Sequence, residues 1–117
     1  MEVVVFGIPN CDTVKKARTW LDQQGVSYRF HDFRRDGIDA ARLTDWLRQT
    51  PLDTLLNRRG TTWRGLSDAA RACAVDEAAA IALMASHPSL IKRPVLVVDA
   101  QVAAVGFAAD TWRGLAL

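Results

Sequence analysis

The apolar positions along the chain change period three times. Val3-Val4-Val5-Phe6 is a continuous, largely β-branched run that predicts a buried strand. Gly7-Ile8-Pro9-Asn10 breaks it. From Asp12 to Gln24 the pattern turns helical: Val14, Ala17 and Leu21 share a face, Trp20 sits at its margin, and Lys15, Arg18 and Asp22 lie elsewhere. Gly25 is suited to end that helix. Val26, Tyr28 and Phe30 then alternate with Ser27, Arg29 and His31, the pattern of a strand with one polar face. Strand, helix and strand in so short a span predict a parallel pair joined by a right-handed crossover. Functional groups in such a unit sit in loops at the C-terminal ends of the strands, which is where Cys11 falls.

The middle of the chain reads as helices only. Arg34-Arg35-Asp36-Gly37 is a turn, and Asp39 can cap a helix to about Gln49 with Ala40, Leu43, Trp46 and Leu47 inward. Pro51 opens a short turn carrying Leu55 and Leu56. Asn57 to Gly65 is polar and irregular. Ser67 or Asp68 can begin a short helix through Cys73, and Asp76 an alanine-rich one to about Ser86. The end returns to β structure: Val95 to Val98, a turn over Asp99-Ala100-Gln101, and Val102 to Val105 coming back antiparallel, followed by a short helix from Asp110 to Leu117. The order β-α-β, helical block, β-β-α predicts an α/β fold with a mixed four-stranded sheet. The outer parts span about 1–35 and 88–117, and the helical insertion spans about 38–87.

Composition narrows the function. A chain of 117 residues and 12.9 kDa is expected to be one domain, and a monomer, with a core of its own. The longest apolar stretch, Ala78 to Ala85, is far short of the roughly 20 residues of a membrane span. No secretory signal is visible, so the reducing cytoplasm is the expected compartment. A net charge of +2 is too small to argue for nucleic acid. Of the 15 cationic residues only Lys15, Lys16 and Lys92 are lysines, and arginines fork around oxyanions and carboxylates. His31 and His87 are isolated and no Cys/His cluster has metal-ligand spacing, so no metal is expected. His31 reads as a structural residue near a strand end ahead of a general base, and His87 as a loop residue. The two cysteines, Cys11 and Cys73, form no C-x-x-C pair.

Cys11 is the candidate nucleophile. A thiol reacts as its thiolate, so its pKa must be lowered. Between the Pro9-Asn10 loop and the first helical turn, its sulfur would face unpaired backbone N–H groups and the positive end of the helix dipole. Lys15, one turn on, is expected to add its ammonium. Asp12 opposes this and is expected to point away. Cys73 reads as a small packed hydrophobe in the helical block.

The stretch Gly7-Ile8-Pro9-Asn10-Cys11-Asp12-Thr13-Val14-Lys15-Lys16-Ala17-Arg18 resembles the signature of the arsenate reductase-like family, most closely its YffB branch. So do His31-Asp32-Phe33, Leu56-Asn57-Arg58-Arg59-Gly60-Thr61-Thr62-Trp63-Arg64 and Ile91-Lys92-Arg93-Pro94. The resemblance covers nearly the whole chain. It implies a thioredoxin-like fold carrying a helical insertion, and a cysteine-dependent reductase with no bound cofactor. Glutathione would be the co-substrate and a glutaredoxin a further partner. It also implies that Arg93 lies beside the cysteine and that Pro94 follows a cis bond against it. Asn10 is expected at the same site. An arginine of the Asn57–Arg64 segment is implied there too, Arg59 being the better match and Arg58 and Arg64 the alternatives. The chain departs from arsenate reductases at Val105-Gly106-Phe107, where another arginine is expected. It departs from the Spx regulators of the same superfamily at Val14, where these often carry the second cysteine of C-x-x-C. Four readings follow: a glutathione-coupled thiol reductase, a true arsenate reductase, a regulator that binds RNA polymerase, and a glutathione-binding adaptor without turnover.

Overall fold

The structure is a computed structural model that describes residues 1–117. The chain forms two compact units, one of residues 1–37 and 93–117 and the other of residues 38–92.

The first unit holds the sheet. Strand β1 (Val3–Gly7) is central and buried throughout, as its unbroken apolar run requires. It pairs in parallel with β2 (Arg29–Asp32) and antiparallel with β3 (Val95–Val98), and β3 pairs antiparallel with β4 (Gln101–Val105), in the order β2-β1-β3-β4. The β3–β4 hairpin turns on Asp99 and Ala100, at φ 48° and 67°, the two left-handed residues of a tight two-residue turn. Asp99 tolerates that conformation and ties the turn down, since its carboxylate accepts from the Glu2 N–H at 2.7 Å.

Helix α1 (Asp12–Gln23) buries Val14, Ala17 and Leu21, the face its spacing predicts. Ala17 and Leu21 join Val3, Val5, Leu96 and Trp112 in the core on that side of the sheet. The helix start comes so close to the end of β1 that a β-carbon on Gly7 would stand 2.8 Å from Val14 Cγ2. A glycine is therefore what lets the first turn of α1 settle onto the strand. At the other end the helix closes with Gly25 at φ +69°, while the N–H groups of Gly25 and Val26 return to the carbonyls of Asp22 and Leu21. That closure takes up the Val26 N–H, so β2 begins at Arg29 rather than at Val26 as the alternation predicts. The C-terminal helix α7 is shorter than expected, Ala109–Arg113, and anchors Trp112 in the core.

The second unit is helical: α2 (Ala40–Gln49), α3 (Leu52–Leu55), α4 (Thr61–Arg64), α5 (Asp68–Cys73), α6 (Glu77–Ser86) and a 3₁₀ turn at Pro88–Leu90. The caps are those the sequence supplies. Asp39, Ser67 and Asp76 side chains accept from the N–H groups of Arg42, Ala70 and Ala79. Leu43, Trp46, Leu55, Leu56, Ala80 and Met84 fill its interior. Ala40 and Leu47 do not turn inward as their spacing predicts: Ala40 is exposed and Leu47 half-buried, because the buried stripe of α2 runs through Leu43 and Trp46. The Asn57–Gly65 segment is not wholly irregular, since Gly60 opens the single turn α4. No helix is long and apolar enough to cross a membrane.

Candidate active site

The site in the first unit is built where β1 hands over to α1. Cys11 occupies the N-cap of α1 with extended backbone angles, φ −96° and ψ 124°. Its carbonyl accepts the first intrahelical bond, from the Lys15 N–H at 2.9 Å, and its own N–H donates to the Ile8 carbonyl at 3.4 Å. The thiol is half-buried.

Five influences act on that thiol, and the largest opposes the others. Partial burial pushes its pKa up. The Val14 N–H, a hydrogen bond and the positive charge of Arg93, and the Thr13 N–H all push it down, and together they hold it below the ordinary value of 9.0. The sulfur makes no capping hydrogen bond of strict geometry, so the backbone donors act on it as nearby positive ends more than as a formed cap. The pull from the helix N-terminus agrees with expectation. The role expected of Lys15 does not. Lys15 is exposed and is not among the groups that act on the sulfur; its side chain lines a groove with Lys16, Trp20 and Phe107. Arg93 supplies the positive charge instead. Asn10 is exposed in the preceding loop.

Arg93 stands immediately before β3, and its Nε is buried. The Arg93–Pro94 bond is cis, as the resemblance implies, and the buried Pro94 accepts from the Gly106 N–H at 2.8 Å through its carbonyl. In the stretch Val105-Gly106-Phe107, where a further arginine is expected, Phe107 packs into an aromatic cluster with Trp112, ring centroids 4.9 Å apart, and Trp20, 6.2 Å apart. Trp112 Nε1 donates to the Gly106 carbonyl at 3.1 Å, so this corner is held by packing and a hydrogen bond rather than by charge.

Arg59 belongs to the second unit. Its N–H donates to Asn57 Oδ1 at 3.0 Å, and it lines a cavity of about 330 Å³ with Asp53, Leu56, Arg58 and Lys92. Arg58 is committed there: it donates to Asp53 at 2.7 Å and lies 5.7 Å from the centre of the Trp63 ring. Arg64 is exposed, and its carbonyl accepts from Arg71, which also pairs with Asp68. Arg59 is thus the arginine of this segment that faces a cavity without an ion pair.

His31 is structural: its ring lies 4.5 Å from that of Phe6, and its Nε2 bonds the Gly37 carbonyl at 2.7 Å, closing the turn after β2. Cys73 is not packed as expected. It is exposed at the end of α5, and the next residue, Ala74, takes the inward position. No three or more His, Cys, Asp or Glu side chains are gathered where a metal could be held.

The ArsC family profile matches residues 6–115. An uncharacterized protein of Haemophilus influenzae is 42% identical over 105 residues, 90% of each chain. The global transcriptional regulator Spx of Streptococcus pneumoniae is 26% identical over 113 residues, covering 95% of this chain and 83% of the regulator. Among solved structures, a YffB protein superposes with a TM-score of 0.89 at 49% identity, over 95% of this chain and 96% of the other. An arsenate reductase-related protein of Brucella melitensis does so with a TM-score of 0.78 at 46% identity, over 97% and 92%. A family match over residues 6–115, almost the full length, makes this chain a member of the ArsC family.

Proposed function

We propose that this protein is a cysteine-dependent thiol reductase that uses glutathione as its reductant. The observation that carries this reading is the Cys11 sulfur, half-buried yet held toward the thiolate by the Arg93 guanidinium and two helix N-terminal N–H groups. A thiolate so placed attacks a disulfide sulfur. A Cys11–sulfur bond forms, the substrate S–S bond breaks, and the departing thiolate takes a proton from solvent. When the substrate is a glutathione mixed disulfide, Cys11 carries the glutathione away. A second glutathione thiolate, alone or through a glutaredoxin, then attacks that bond, releases oxidised glutathione and returns Cys11 as thiolate. The cycle needs one cysteine. Val14, one turn on, is fully buried and presents an apolar side chain where a second thiol would complete a pair, which supports a monothiol route over a dithiol switch. A glutathione-dependent cycle of this kind fits the reducing cytoplasm.

Intact mass measurement after exposure to oxidised glutathione, with and without glutaredoxin, tests the reading. One glutathione is expected per chain, mapped to Cys11 and absent from Cys11→Ser. Exposure alone favours Cys73, whereas the thiolate-stabilising donors are gathered at Cys11. Predominant modification of Cys73, or a bridge between the two cysteines, overturns the monothiol assignment.

A further inference from the structure

Helix α1 carries a groove on its outer face, about 370 Å³ in volume, that runs away from the Cys11 turn. Its rim is Lys15 and Lys16, its middle Thr19, and its floor the half-buried rings of Trp20 and Phe107. Neither lysine has a carboxylate within salt-bridge distance. The nearest carboxylate along the helix, Asp12, leaves both free although it lies three and four residues away. The floor is preformed: Trp20 meets Trp112 edge-on at 6.1 Å, and Phe107 is fixed against the same ring. A rigid aromatic floor beside two unpartnered cations is complementary to a segment that carries an acidic and an apolar side chain, and it costs little ordering to occupy.

The geometry points to this groove as the docking surface for the polypeptide around the substrate disulfide, a segment with a carboxylate close to its cysteine and an apolar side chain beyond it. The inference rests on the thiol-reductase reading for its placement. Helix rise puts Lys15 about 6 Å and Trp20 about 13 Å along the axis from Cys11. An extended peptide advances roughly 3.3 Å per residue. Its second residue past the cysteine therefore reaches the lysines and its fourth the aromatic floor, a Cys-x-Glu-x-Leu pattern. The groove thus acts on substrate choice and leaves the chemistry at the sulfur to Arg93 and the helix N-terminus.

The test uses two peptides, Ala-Cys-Ala-Glu-Ala-Leu and Ala-Cys-Ala-Lys-Ala-Leu, each activated as its 2-thiopyridyl disulfide, with dithiodipyridine as the peptide-free probe. Attack by Cys11 forms the Cys11–peptide disulfide and releases pyridine-thiolate, whose absorbance gives the rate. The Glu peptide is expected to react about two- to fivefold faster than the Lys peptide at low salt, the range of an exposed ion pair. The preference is expected to shrink as salt rises and to vanish in Lys15→Ala/Lys16→Ala. Equal rates for the two peptides, or a preference that survives the double substitution, overturn the groove assignment. So does a lysine- and salt-dependent rate of the same size with glutathione mixed disulfide alone, which would make glutathione itself the occupant. Failure of Cys11 to react even with dithiodipyridine would instead sink the thiol-reductase reading. In that event amide shifts of Cys11→Ser titrated with the two peptides, unactivated, still judge the groove. Shifts along α1 and at Phe107 with the Glu peptide only are expected, and their absence overturns it.

Discussion

The guanidinium of Arg93 hydrogen-bonds the sulfur of Cys11, and its charge adds to the pull of the Val14 and Thr13 N–H groups on the thiolate. One residue arrives just before β3 and the other just before α1, so the pair exists only because β1 and β3 are antiparallel neighbours.

The thiolate absorbance of Cys11 is expected to appear below the ordinary thiol value of 9.0, and to move up in Arg93→Ala. Lys15→Ala is expected to leave it in place. The shift also has a sign for stability. A group whose pKa is lowered by folding adds stability that is fully present above its unfolded value and is lost as the pH falls through its folded one. Denaturant midpoints of the protein and of Cys11→Ser are therefore expected to diverge in favour of the native cysteine as the pH rises toward 9.0. A transition at or above 9.0, or a gap that closes as the pH rises, contradicts the assignment.

Arg93→Ala is expected to lower kcat/KM for a glutathione mixed disulfide by roughly ten- to a hundredfold, the equivalent of a charged hydrogen bond of about 1.5–3 kcal/mol. Its melting temperature is expected to fall much less. Unchanged turnover with a large loss of stability would make Arg93 a structural residue.

Arsenate turnover is expected to be weak beside turnover of a glutathione mixed disulfide in the same glutathione-coupled assay. Arsenate brings about two negative charges to a thiolate that carries a third, and each missing donor around it is costly. The aromatic Phe107, packed on Trp112, lies in the stretch where a further cation is expected. Efficient arsenate turnover with no activity on the disulfide would reverse this order.

Gly7→Ala is expected to destabilise the fold by about 1–3 kcal/mol, since the new methyl would overlap a side chain already packed between strand and helix. The clash is with Val14 Cγ2 at 2.8 Å, so Val14→Ala is expected to relieve part of it, and the two changes should cost less together than their sum. Chemical denaturation of the two single variants and the double variant measures the difference. Strict additivity would show that the strand and helix part without strain.

Local pattern alone determined much of this protein. The apolar run Val3–Phe6, the face Val14-Ala17-Leu21 and the caps Asp39, Ser67 and Asp76 are governed by interactions within a few residues, and each appears where periodicity and side-chain chemistry put it. Cys11 at the head of α1 was legible for the same reason, since a helix start orders its own N–H groups. The rest was decided at longer range. Val26 alternates like a strand residue, yet its N–H is spent closing α1. Cys73 and Ala74 are both small and apolar, and only the way α5 packs made one exposed and the other buried. Lys15 lies close to Cys11 in sequence, yet the positive charge that acts on the sulfur comes from Arg93, far along the chain. Helix geometry turned the one outward into a groove, and strand pairing brought the other in. Which cation meets a thiolate depends on where backbones converge in space, and a single sequence records that convergence only weakly.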